Sequence, residues 1–253
     1  MGIVNVTPDS FSDGGRYFDA EAAIAHGARL FAEGAQVVDV GGESTRPGAA
    51  AVAPDEEVAR VLPVIRALAK AGPVSVDTRR ASVARAAIEA GASLVNDVSG
   101  GADPAMFPTV AEAGAGLVLM HMRGEPATMQ SLATYDDVCG EVWAWLDARA
   151  RDARLAGVHD VVVDPGLGFA KTAAHNVALL RDLPRRTSDR TVLVGASRKS
   201  FLGALTGVAD PAERLEGSLT VALHCADAGA AWIRVHDVAA TVRALKVWEA
   251  LRA

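Results

Sequence analysis

Eight short stretches of this sequence end in residue types that are costly to bury and able to do chemistry. They are Asn5, GGESTRPG (Gly41–Gly48), DTR (Asp77–Arg79), NDVSGG (Asn96–Gly101), MHMRG (Met120–Gly124), DPGLGFAK (Asp164–Lys171), GASRKSF (Gly195–Phe201) and RVHD (Arg234–Asp237). Charge divides them into two halves. Asp77, Asn96 and Asp164 supply acceptors and an amide, with Lys199 as counter-charge. Such a set suits a flat heterocycle with an amino-pyrimidinone edge, whose ring N–H and adjacent amino group donate in parallel to one carboxylate. Arg46, Arg234 and His236, beside Asn5, form a cationic half able to hold a phosphate or diphosphate. The side-chain oxygen of Asn5 is a hard donor suited to Mg²⁺, which takes one or two protein groups besides phosphate and water.

Each residue alone has a plainer reading. Asp77 and Asn96 are good helix N-caps, and Asp164 before Pro-Gly can simply open a turn. Arg198 and Lys199 read as solvated loop charges, His236 as a hydrogen-bonded structural histidine, and Met120 and Met122 as packing residues. Convergence weighs against these readings, because every set follows an apolar run and all would meet at one cavity.

The apolar runs are Gly2–Val6, Val37–Val40, Val74–Val76, Leu94–Asn96, Gly116–Met120, Val161–Val163, Val192–Val194 and Trp232–Val235. Between them lie Ala-rich stretches with helical period: Ile24, Gly27, Ala28, Phe31 and Ala35; Val58, Val61, Leu62, Ile65 and Leu68; Val238, Val242, Leu245, Trp248 and Leu251. Strands too apolar to be half-exposed, alternating with helices, imply a parallel sheet covered by helices. Eight such units in 253 residues predict a single-domain (β/α)₈ barrel of the TIM type rather than an open sheet. In that fold the loops after the strands build the active site, which is where the polar sets fall.

Other chemistries are disfavoured. GLGFAK lacks the third glycine of the dinucleotide fingerprint, and there is no phosphate-binding GxxxxGK[ST], zinc HExxH or nucleophile-elbow GxSxG pattern. Cys139 and Cys225 match no metal or redox spacing and read as reduced thiols. A net charge of −6 argues against nucleic acid or an anionic membrane as partner. No run is long and apolar enough to span a bilayer and no leader precedes the first strand, so a cytoplasmic protein is expected.

Taken in order, NVTPDSFSDGG, GGESTRPG, VDT, NDVSGG, MHMRG followed by PATMQ, DPGLGFAK, GASRKSF and RVHD closely resemble the dihydropteroate synthase family of bacterial folate synthesis, from Met1 to Asp237. The resemblance implies a transferase joining p-aminobenzoate to 7,8-dihydropterin-6-ylmethyl diphosphate, with Mg²⁺ as cofactor. Asp77, Asn96, Asp164 and Lys199 would hold the pterin, with Met120, Phe169 and Gly195 lining its pocket. Asn5, Arg46, Arg234 and His236 would hold the diphosphate, and Asn5 the metal. Phe11, Thr45, Pro47 and Ser200, with Lys199, would shape the p-aminobenzoate site. Asp77, Lys199, Arg46, Arg234 and His236 are the residues expected to act on the reacting groups, and the loops around Asp13 and Arg46 are expected to order over bound substrates.

The family also implies a homodimer through late helices, to which Leu215–Ala226 and the Trp248 helix would contribute, and an N-terminal hairpin for which this sequence has no residues before its first strand. A methyltetrahydrofolate-dependent methyltransferase would need the Asp77, Asn96 and Asp164 set but not STRPG or SRKS. A pterin-binding paralogue without activity would have lost loop or cationic residues that are present here. A barrel acting on another phosphorylated metabolite would leave the pterin-like edge unexplained.

Overall fold

The computed structural model describes residues 1–6, 16–44, 52–125 and 128–252. Strands and helices alternate along the chain. They are β1 (Gly2–Asn5), α1 (Arg16–Ala32), β2 (Val38–Gly41), α2 (Pro54–Leu68), β3 (Val74–Asp77), α3 (Ala81–Glu89), β4 (Leu94–Asp97), α4 (Met106–Ala113), β5 (Gly116–Met120), α5 (Val138–Leu155), β6 (Val161–Asp164), α6 (Ala173–Asp182), β7 (Leu193–Val194), α7 (Ser200–Thr206), α8 (Leu215–Asp227), β8 (Trp232–Ile233) and α9 (Val238–Ala250).

β1 to β6 form a continuous parallel sheet in sequence order, and β7 pairs with β8. Two seams close the ring. Val163 donates its N–H to Thr191 O at 3.0 Å, joining β6 to the residues just before β7, and Ile3 donates its N–H to Val235 O at 3.1 Å, joining β1 to the residues just after β8. The result is the expected (β/α)₈ barrel. In β2, β3, β4 and β6 the ladder reaches one residue further than the apolar run, so that β3 takes in Asp77 and β6 takes in Asp164. A polar side chain at that last rung faces the open mouth and needs no apolar partner.

Side chains alternate between two environments, as strand geometry requires. Val4, Val38, Val40, Val74, Val76, Val95, Leu117, Leu119, Val161 and Val163 join the helices in one large core outside the ring. Inside it, Leu94, Val118, Val162 and Leu193 form a small apolar floor with Met1 and Trp232. The outer core depends on small residues: a Cβ on Gly27 of α1 would lie 2.4 Å from Leu68 Cδ1 of α2.

The helical stripes differ from expectation in two places. On α1 the buried line is Ala23, Gly27 and Leu30, while Ala28 is exposed and Ala35 lies past the helix end. On the last helix Val238 is buried but Leu251 is 82% exposed, because α9 ends before it.

Candidate active site

The pleat places the polar residues in a second storey above the apolar floor. Asp77 and Asn96 are register partners on β3 and β4, and Met120 and Asp164 on β5 and β6. Neither Asp77 nor Asn96 caps a helix, since the N-cap positions of α3 and α4 are Arg80 and Ala105. Asp164 does open a turn, accepting Gly166 N–H through Oδ1 at 2.7 Å, yet it is buried and only one of its oxygens is used in that bond.

A fully buried carboxylate absent from the expected set organises this storey. Asp39, in the middle of β2, accepts from Asn96 Nδ2 at 2.9 Å and from Arg234 Nε at 2.6 Å, both on Oδ2. The Arg234 guanidinium reaches on to Asp77 Oδ2 at 2.9 Å. Arg234, assigned by charge to the diphosphate half, therefore stands between two carboxylates at the pterin-type half. Burial, with the Asp39 charge adding to it, pushes Asp77 up to about 7 even though Arg234 pulls the other way. Burial raises Asp164 too, against the pull of Lys199.

Lys199 is the N-cap residue of α7. Its Nζ donates to Leu167 O at 2.5 Å and sits 4.8 Å from the centroid of the Phe169 ring. Burial lowers this ammonium to about 8, with Asp164 holding it up. Gly195 leaves room beside it, since a Cβ there would be 3.7 Å from Arg234 Cβ and 4.0 Å from Lys199 Nζ. Met120 is buried next to the same loop: a Cβ on Gly166 would lie 3.2 Å from Met120 Cγ. The pterin-type residues Asp77, Asn96, Met120, Asp164, Phe169, Gly195 and Lys199 thus come from the ends of neighbouring strands and their loops.

Asn5 and His236 meet elsewhere on the rim. Both line a cavity of about 410 Å³ together with His26 and Arg29 of α1. His236 is oriented by Ser197, whose Oγ is 3.1 Å from Nδ1 and 3.2 Å from the His236 backbone N. Arg198 pairs with Asp237, with Nε 3.0 Å from Oδ2, and so ties the Lys199 loop to the His236 loop. Ser200 is exposed at the first position of α7. Phe11, Asp13, Thr45, Arg46 and Pro47 lie outside the described residues. The stems flanking 45–51 are joined by Arg80, which contacts Glu43 and buried Glu57 and donates to Val52 O at 2.8 Å. A second cleft of about 430 Å³, lined by Arg151, Arg154 and Arg190, lies by the start of β6 and away from all of these groups.

Comparison with known proteins agrees with this geometry. A family model described as pterin binding enzyme matches residues 1–236. Dihydropteroate synthase of Mycobacterium leprae is 53% identical, over 98% of this chain and 91% of that protein. The chain belongs to the dihydropteroate synthase family of pterin-binding enzymes. The family member from Neisseria meningitidis serogroup B is 48% identical over 99% of this chain and 92% of its own length. Among solved synthases, that of Xanthomonas albilineans with 4-aminobenzoic acid superposes with a TM-score of 0.94 at 50% identity, covering 100% of this chain and 92% of that one. The same organism's synthase in complex with 7,8-dihydropteroate gives a TM-score of 0.91 at 47% identity, covering 100% and 93%. The synthase family read from the motifs and the TIM barrel read from eight apolar runs alternating with helical stretches are both borne out.

Two sets of residues escaped the motif reading. Asp39 was hidden inside the apolar run VVDV, where its charge was the available signal. His121 and Lys171, buried inside MHMRG and DPGLGFAK, were passed over for their neighbours.

Proposed function

We propose that the barrel mouth joins 7,8-dihydropterin-6-ylmethyl diphosphate to p-aminobenzoate, giving 7,8-dihydropteroate and pyrophosphate. The chain is a transferase. The observation that carries this reading is the polar storey, where Asp77, Asn96 and Asp164 share an enclosed site with Lys199 and Arg234.

Each group has a role set by its other bonds. Asn96 commits its NH₂ to Asp39, so its carbonyl oxygen is the atom that accepts from a pterin N–H. Asp164 uses one lone pair of Oδ1 for Gly166, which leaves an acceptor site on each oxygen for the paired donors of the amino-pyrimidinone edge. Lys199 keeps two of its three donors after bonding Leu167 O and offers them to ring acceptors. Arg234 is bonded through Nε and Nη2, and Nη1 is the donor left to serve the departing phosphate. In the reaction the methylene C–O bond breaks with its electron pair leaving on pyrophosphate. The arylamine nitrogen forms the new C–N bond and then loses one proton to solvent. The arylamine is already nucleophilic at neutral pH, so no activated Ser or Cys is required. Departure precedes attack in our reading, because the electron-rich dihydropterin carries positive charge well and Asp77 lies beside it to stabilise that charge.

Asn5 fits Mg²⁺ as a single hard donor at the end of β1. Among the described residues no three His, Cys, Asp or Glu side chains converge on a metal, so the ion would draw its remaining ligands from diphosphate and water, as Mg²⁺ does at phosphate sites. Bound there, it would neutralise charge on the leaving group. Ser200, with Thr45, Pro47 and Phe11, forms the p-aminobenzoate subsite, and Arg46 and His236 hold the diphosphate. A homodimer through the late helices is part of the proposal, supported by exposed Leu205 on α7 and Val247 on α9. So is a cytoplasmic location: the free thiols Cys139 and Cys225 suit a reducing compartment, and no helix among the described residues is long and apolar enough to cross a membrane.

A coupled assay with dihydropterin diphosphate, p-aminobenzoate and Mg²⁺ tests the reading. Pyrophosphate and dihydropteroate should appear at equal rates, and chelating Mg²⁺ should suppress both. Pterin binding with neither product would refute the transferase assignment.

A further inference from the structure

We propose that Lys171 is a positioning residue of the pterin site, a buried ammonium that locks the loop after β6 onto the loop after β5 and so sets Phe169 and Met120 against the pterin ring. The proposal rests on the pterin reading above and adds to it a residue that touches no reactant.

The backbone carbonyls of the β6 loop are held by side chains from different parts of the barrel. Leu167 O accepts from Lys199 Nζ at 2.5 Å, Gly168 O from Gln130 Nε2 at 3.2 Å, Phe169 O from Lys171 Nζ at 3.0 Å and Ala170 O from the Tyr135 hydroxyl at 3.0 Å. Gln130 and Tyr135 come from the loop after β5; Lys171 belongs to the β6 loop itself and reaches back to the first residue of that neighbouring loop. Its Nζ lies 3.0 Å from His121 Nδ1 and 3.4 Å from His121 O, directly after Met120. The three donors of the ammonium are thereby all used within the protein.

The surroundings fit this role and no other obvious one. Lys171 is 4% exposed and His121 3%, so neither is a surface charge. Burial lowers Lys171 to about 7, with Asp164 opposing and Lys199 and Arg123 adding to the shift. Burial and the Lys171 charge lower His121 to about 3, which leaves its ring neutral and able to accept at Nδ1. Trp145 fixes that ring edge-on, with centroids 5.1 Å apart. The two loops also touch backbone to backbone: Gly166 has φ +66, and a Cβ there would lie 2.0 Å from His121 O. A methionine at 171 would fill the same space without a charge to desolvate. Replacing a buried charge by an apolar side chain of similar volume is often neutral or stabilising for folding, so stability alone does not account for a lysine here.

That contrast makes the test. In Lys171→Met we measure equilibrium binding of 7,8-dihydropterin diphosphate by calorimetry, KM for each substrate, and the thermal midpoint. Pterin affinity and pterin KM should weaken about tenfold while the p-aminobenzoate KM stays within about twofold and the midpoint holds or rises. Unchanged pterin binding, or both KM values rising together with a fallen midpoint, would overturn the proposal. If Lys171→Met does not fold, Tyr135→Phe removes the hydroxyl on the next carbonyl. It should weaken pterin binding about threefold without moving p-aminobenzoate, and wild-type pterin binding in that variant would equally overturn the idea. Because binding is read separately from turnover, a wild-type chain that binds pterin but makes no product would count against the reaction and leave the Lys171 comparison intact.

Discussion

Asp39→Asn tests whether the hidden carboxylate holds the pterin site together. The substitution keeps shape and removes charge. Asp39 Oδ2 takes both the Asn96 and the Arg234 bond, and Oδ1 is buried with no partner among the described residues. An asparagine oxygen can still accept both, but as a neutral rather than a charged acceptor. Bonds to a charged group contribute about 1.5–3 kcal/mol and neutral ones about 0.5–1.5, so each of the two bonds weakens by about 1–1.5. The sum is a loss of about 2–3 kcal/mol in folding stability, or a midpoint lowered by about 4–12 °C for a chain of this size. Asn96 would lose the charge that fixes its amide, weakening pterin binding about tenfold, or about 1.4 kcal/mol. A second signature is opposite in sense. The Asp39 charge helps to raise Asp77, so its removal should bring Asp77 below about 7 and move any acid limb assigned to it downward. Circular-dichroism melting, pterin calorimetry and a pH profile read the three effects. A variant with the wild-type midpoint and wild-type pterin affinity would refute the claim that Asp39 orients Asn96 and Arg234.

Other expectations follow from the same geometry. Lys199→Ala should abolish turnover and weaken pterin binding; wild-type kinetics would sink the site assignment. In the wild type, kcat/KM should fall above pH about 8 as this ammonium loses its proton, and in Lys199→Arg, if activity survives, that basic limb should move to higher pH. Asp77→Asn should also stop turnover, yet its effect on stability depends on pH. Because folding raises the Asp77 pKa to about 7, the folded chain binds that proton more tightly than the unfolded one, and stability is lost as pH rises from about 4 to 7. The asparagine cannot ionise, so its melting midpoint relative to wild type should improve from pH 4 to pH 8, and an unchanged or worsening difference would refute the pKa argument. Gly166→Ala should be severe, since the new methyl would sit 2.0 Å from His121 O at φ +66. A cost of about 4 kcal/mol, combining left-handed strain and overpacking, is expected, and a midpoint close to wild type would show that the two loops can part.

Much of this site was legible because a parallel barrel imposes a rule that sequence obeys. An apolar run that stops at a polar residue marks the rung at the mouth, and Asp77, Asn96 and Asp164 were found that way. Asp39 was not, because it lies two residues below the mouth end of β2, inside an apolar run, and side-chain direction is invisible until neighbouring strands are set in register. Arg234 was placed by its charge with the other cations. Sequence does not say which carboxylates face it across the lumen, and those of β2 and β3 do. Helix boundaries misled for a similar reason: Ala35 and Leu251 kept the period beyond the point where the backbone left the helix.

The small inner floor has a consequence for how this chain can change. Four buried aliphatic side chains with Met1 and Trp232 make up the interior cluster, while the much larger cluster lies between the strands and their helices. Cohesion therefore resides in the rind, and the pith is left largely to charge and hydrogen bonding. Inheritance can treat the two as separate compartments: drift among the small outward residues tunes heat tolerance, and substitution among the inward ones tunes what is recognised. A lineage under pressure to alter ligand preference can work on the pith while the rind keeps the ring closed.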